Sequence, residues 1–130
     1  MKGTKILLVD DEVVFTTNMG KLLTNRGYKV TAVNSGDAAI QALEKESYDI
    51  VVLDLKMPGM DGIATLKEIR KLGLFTETLI LTGHGSMDTA FKAIEMGAYD
   101  YVMKPCDIAE LVVKIEAAQA RKTVKEKTSP

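Results

Sequence analysis

Cysteine and histidine are almost absent from this sequence: it has one of each in 130 residues. Cys106 alone excludes a disulfide framework and a cysteine-based zinc site. His84, with no second histidine to join it, reads as a loop residue rather than a metal ligand or a base. Long hydrophobic runs are missing too, and no stretch approaches the ~20 apolar residues of a membrane span. The first apolar run, Ile6–Val9, is too short for a secretory signal and ends in acid. A soluble, cytoplasmic domain is therefore expected, with no membrane partner. Charge of one sign is also lacking, with 17 Lys plus Arg against 18 Asp plus Glu and a net −1. A dedicated nucleic-acid binder carries a basic excess, so direct nucleic-acid contact is not expected. The balance is uneven along the chain. Arg121, Lys122, Lys125 and Lys127 against Glu126 give residues 117–130 a charge of +3, which leaves −4 on residues 1–116.

What is present is enough apolar material for one core, since 46% of the residues are hydrophobic and single domains take roughly 100–200 residues. Short apolar runs at Ile6–Val9, Lys29–Val33, Ile50–Leu53, Thr78–Leu81 and Tyr99–Met103 are rich in β-branched residues, as strands are. The first, third and fourth are nearly continuous, which fits strands buried on both faces of a parallel sheet. The second alternates and reads as an edge. Between the runs lie stretches with helical spacing. Phe15, Met19, Leu22 and Leu23 form the inward face of the first, and Gly27 stops it. Gly20 within it costs about 1 kcal/mol relative to Ala, so packing must override propensity there. Ser35, Asp61 and Ser86 are N-caps for the next three helices. Their inward residues are Ala39, Ile40 and Leu43, then Leu66 and Ile69, then Met87, Ala90, Phe91 and Ile94. A fifth helix starts near Asp107 and buries Ile108, Leu111, Val112 and Ile115. The alternation predicts an α/β, flavodoxin-like (βα)5 three-layer sandwich, its parallel five-stranded sheet in the order 2-1-3-4-5. Residues 1–120 make that domain. Residues 121–130 read as a basic tail, which leaves a solvated helix end, a linker and a terminus open.

All five strands of such a sheet end at one edge, where ligands bind beside the switch point in strand order. The strand ends carry Asp10-Asp11-Glu12, Asp54, Thr82-Gly83 and Lys104-Pro105. Carboxylates crowded together repel by a few kcal/mol per pair at an effective dielectric of about 20, and Lys104 alone does not offset that. Oxygen-only ligands favour a hard divalent ion, and Mg²⁺ is commonly held by one or two carboxylates with waters retained. Beside such an ion a carboxylate can act as nucleophile toward a phosphoryl group. Thr82 can donate to a phosphoryl oxygen, and Lys104 adds positive charge. Gly83 leaves room for a donor to approach. The set reads as a phosphoryl-acceptor site.

These residues resemble the receiver domain of two-component response regulators. The matching stretches are Ile6-Leu7-Leu8-Val9-Asp10-Asp11-Glu12, the run Val51 to Gly62 with Asp54-Leu55-Lys56-Met57-Pro58-Gly59, then Leu81-Thr82-Gly83, and Gly97 to Pro105 with Lys104. The likeness spans residues 4 to about 120 in the family's order. It implies that Asp54 is the phosphorylated nucleophile, served by a phosphohistidine on a sensor histidine kinase or a phosphotransfer protein. It also implies Mg²⁺ bound by Asp11 and Asp54, with Asp10 acting mostly through water and the Lys56 carbonyl completing the set. Lys104 would pair with Asp54 and then with the phosphoryl group, and its bond to Pro105 is often cis in the family. Thr82 would move toward the phosphoryl oxygen and Tyr101 would rotate inward behind it. The fourth helix, fifth strand and fifth helix would read the change out to an effector domain or partner. A homodimer is left open.

Residues Leu81–Ala90 look most like receivers on AAA+ transcription activators and some hybrid kinases. Rival functions fare worse on the residues. A nucleotide or flavin binder needs a phosphate loop with free amides after strand one, and Asp10-Asp11-Glu12 would repel phosphate. Aspartyl phosphatases usually carry a second acid two residues after the nucleophile, where this chain has Lys56. A signalling switch is expected rather than a turnover enzyme. No effector domain fits within 130 residues.

Overall fold

The computed structural model describes residues 3–57, 59, 61–83 and 87–128. The elements alternate: β1 (Lys5–Val9), α1 (Val13–Asn25), β2 (Lys29–Val33), α2 (Gly36–Lys45), β3 (Ile50–Asp54), α3 (Gly62–Lys71), β4 (Glu77–Thr82), α4 (Met87–Glu95), β5 (Asp100–Met103) and α5 (Ile108–Thr128). The strands pair in parallel in the order β2-β1-β3-β4-β5. β3 and β4 are buried throughout, whereas edge strand β2 shows mixed exposure. That is the contrast predicted by continuous against alternating apolar runs.

Each strand feeds two cores through its two-residue period. Leu7, Val9, Val51, Leu53 and Ile80 face a cluster with residues of α2, α3 and α4. Ile6, Leu8, Ile50, Val52, Leu79, Leu81 and Val102 face one with residues of α1 and α5. The sandwich therefore has three layers.

Local signals set the helix ends. Ser35 accepts from the Ala38 amide at 3.1 Å, and Asp61 from the Ala64 amide at 2.9 Å. Asp107 accepts from the Glu110 amide at 2.8 Å ahead of α5. Gly27 takes φ +97, a left-handed conformation that suits glycine just past a helix. The Ser86 cap expected for α4 lies outside the described residues, as do His84, Gly85, Pro58 and Met60.

Two expected core positions need correction. Leu22 and Phe91 do not turn inward; Phe91 is 52% exposed. α4 instead buries Ala90 and Ala93, because small residues let it lie close on the sheet. α1 runs through Gly20 as expected, and a Cβ there would meet nothing closer than Val30 Cγ1 at 3.9 Å.

Residues 121–128 continue α5 without a break. Arg121 holds buried Glu77 through two 2.7 Å hydrogen bonds and stacks 4.7 Å over the Tyr99 ring. Lys122 is buried beside Asp49 at 3.2 Å and Glu126 at 2.7 Å. Lys125 joins Arg121 on Glu77 at 3.0 Å, so three of the segment's four basic side chains pair with acids.

Candidate functional site

The site is assembled by strand parity. The period that puts Ile6 and Leu8, Ile50 and Val52, and Val102 on the α1/α5 face carries onward to Asp10, Asp54 and Lys104. The ladder continues past the strands to hold them: the Asp10 amide donates to the Val33 carbonyl at 3.2 Å, and the Lys104 amide to the Thr82 carbonyl at 2.8 Å. Thr82 and Tyr101 have the opposite parity, shared with Ile80, and Ile80 is paired in register with Tyr101. Tyr101 packs against the α2–α4 cluster, its ring edge-on to Phe91 at 6.2 Å.

The result is a cleft of about 300 Å³ at the C-terminal edge, lined by Asp11, Asp54, Lys56, Thr82, Gly83 and Lys104 among others. Asp10, Asp11 and Asp54 bring carboxylate oxygens within 4.8 Å of one another. Asp10 is fully buried and Asp54 is 6% exposed. Burial, reinforced by the neighbouring charges of Asp10 and Asp11, pushes Asp54 up to about 6 despite Lys104 and the Lys56 amide. Burial likewise raises Asp10.

Lys104 does not pair with Asp54. Its Nζ lies 2.6 Å from Asp10 Oδ2 and 2.5 Å from Glu12 Oε1. The contact with the buried Asp10 is thus a close ion pair. Burial pulls Lys104 down, but the two carboxylates outweigh it and leave the ammonium above its ordinary value. The Lys104–Pro105 bond is cis.

Two supporting residues escaped the sequence reading. Asn34 Nδ2 donates to the Asp10 carbonyl at 2.8 Å and to Thr16 Oγ1 at 3.2 Å, fixing the turn after β1. Gly62 seats α3 directly behind β3, for a Cβ there would lie 2.5 Å from Leu55 Cα and 2.8 Å from the Asp54 carbonyl. Asn34 follows a strand like many loop residues and carried no signal of its own. Gly62 closes the run from Val51 that carries Asp54. Neither Asp11 nor Glu12 caps α1, whose N-cap residue, Glu12, makes no side-chain cap bond.

Three acidic side chains with carboxylate oxygens within 4.8 Å of one another fit a hard cation. The family described as "Response regulator receiver domain" matches residues 6–116. The chain belongs to that family. As a receiver it is 42% identical over 115 residues to the transcriptional regulatory protein ZraR of Escherichia coli K12, covering 88% of this chain and 26% of that protein. It is 36% identical to the DNA-binding transcriptional regulator NtrC of Klebsiella pneumoniae, covering 85% of this chain and 24% of that protein. This receiver thus spans about a quarter of those relatives. It superposes on NtrX of Brucella abortus with a TM-score of 0.91 and 31% identity, covering 96% of this chain and 29% of that one. A receiver domain protein from Clostridium thermocellum gives 0.89 and 35%, covering 93% of this chain and 98% of that one. Among the described residues no helix is long and apolar enough to cross a membrane.

Proposed function

We propose that this receiver accepts a phosphoryl group on Asp54 from a phosphohistidine of a sensor histidine kinase or phosphotransfer protein, in the cytoplasm. The observation that carries the reading is Asp54 itself, a buried carboxylate within 4.8 Å of two others that lines a cleft. Asp11, Asp54 and the Lys56 carbonyl would hold Mg²⁺, with Asp10 acting through water. When bound, the ion neutralises charge on the incoming phosphoryl group.

The chain's own groups do the rest. An Asp54 oxygen forms the O–P bond as the donor's P–N bond breaks, and the electron pair leaves with the imidazole nitrogen, which takes a proton. Thr82 donates to a phosphoryl oxygen, and Lys104 supplies a fixed positive charge. The new group carries about −1.5 to −2 charge, which draws Thr82 toward it and lets Tyr101 turn inward from the same face of the sheet. α4, β5 and α5 transmit the change to an effector. The relatives named as transcriptional regulators support an effector acting on transcription.

This is a switch that is modified once and not an enzyme that turns over a free substrate. Incubation with a phosphomonoester and Mg²⁺ separates the two readings. Phosphate release over many cycles would identify an aspartyl phosphatase and overturn the switch; no turnover is expected.

A further inference from the structure

Lys104 has a choice of partners, and the one it takes is unexpected for a site whose acceptor is Asp54. Its ammonium sits between Asp10 and Glu12, 4.6 Å over the Phe15 ring. Asp54 reaches it only as a charge through space. The Glu12 side chain makes no cap bond to the helix it precedes and is 63% exposed. Among the described residues its only ion pair is the one with Lys104.

We propose that Glu12 is a positioning residue that holds the resting Lys104 on the α1 side of the cleft, so that its release of the ammonium sets how fast Asp54 is phosphorylated. The proposal rests on the reading of Asp54 as acceptor. A phosphoryl group brings more negative charge than the carboxylate it modifies, so Lys104 is drawn toward Asp54 as the bond forms. It must then loosen one existing contact. Asp10 is buried, and abandoning a buried carboxylate is strongly unfavourable. Glu12 is rehydrated at once, and an exposed pair of this kind holds weakly. Glu12 is therefore the partner that lets go.

With phosphoramidate as donor, an Asp54 oxygen forms the O–P bond while the P–N bond breaks. The electron pair leaves with nitrogen as ammonia, which solvent protonates. Glu12 makes and breaks no covalent bond.

The test follows phosphoramidate labelling of the full chain with Mg²⁺ by intact mass, in wild type, Glu12→Gln and Glu12→Asp. Glu12→Asp keeps the charge but is one methylene shorter. Both variants are expected to label about two- to fivefold faster, the factor set by an exposed ion pair. Both are also expected to shift the Lys104 ¹³Cε resonance before any donor is added. Acceleration in Glu12→Gln alone, with Glu12→Asp matching wild type, would mean that net charge acts and contact does not, and would overturn the proposal. Equal rates in all three would overturn it while leaving the Asp54 reading intact. No label in wild type would remove both.

Discussion

Asp10 and Asp54 end neighbouring parallel strands with carboxylate oxygens within 4.8 Å, and the Lys104 ammonium lies on Asp10. Asp54 is left as the uncompensated member, raised by burial first and then by Asp10 to about 6. Its folded value exceeds the unfolded one, so the folded state binds more protons between about pH 4 and 6. Stability from this group is greatest below that window and falls as pH rises through it. Asp54→Asn is expected to stabilise the metal-free protein by about 1–3 kcal/mol at pH 7, with the gain shrinking toward pH 4. Urea unfolding in chelator at several pH values checks this.

Mg²⁺ should oppose the same repulsion. At a hundredfold excess over its Kd, the ion should stabilise wild type by about 2.7 kcal/mol by mass action. Thermal unfolding should show the gain reversed by chelator and largely absent in Asp11→Asn.

The end of α5 depends on Glu77. Burial pushes its carboxyl up, yet hydrogen bonds from Arg121 and Lys125 overcome that and leave it below the usual range. Its contribution is present above the unfolded value and lost as pH falls through the folded one. Glu77→Gln is expected to cost about 2 kcal/mol, since it weakens a charge-assisted pair whose arginine is partly exposed. Amide exchange should quicken over residues 121–128.

Two glycines should respond in opposite directions. Gly20→Ala has room beside Val30 and should add about 0.5–1 kcal/mol through helix propensity. Gly62→Ala drives its Cβ into the backbone of Leu55 and Asp54, and should destabilise by about 2–3 kcal/mol while slowing labelling at Asp54. Denaturation midpoints separate the pair.

The sheet was readable because burial on two faces leaves continuous apolar runs, and the site because Asp10, Asp54 and Lys104 follow those runs directly. Helix faces were less so. Leu22 and Phe91 lie on the margin of their apolar stripes, where spacing admits either side and only the approach of helix to sheet decides. Glu77 was hidden as a single acid before an apolar run, and Arg121 as one base among several; their pairing joins positions 44 apart in the chain. The choice Lys104 makes between Asp54, Asp10 and Glu12 is one of rotamer and distance within a crowded cleft. No pattern of residue types encodes it.

The central claim is that Asp54 is the acceptor. After incubation with phosphoramidate and Mg²⁺, tryptic peptide 46–56 should gain about 80 Da, the label should be released by hydroxylamine as an acyl phosphate is, and Asp54→Asn should carry none. Label on any other peptide, or undiminished label in Asp54→Asn, would contradict the account.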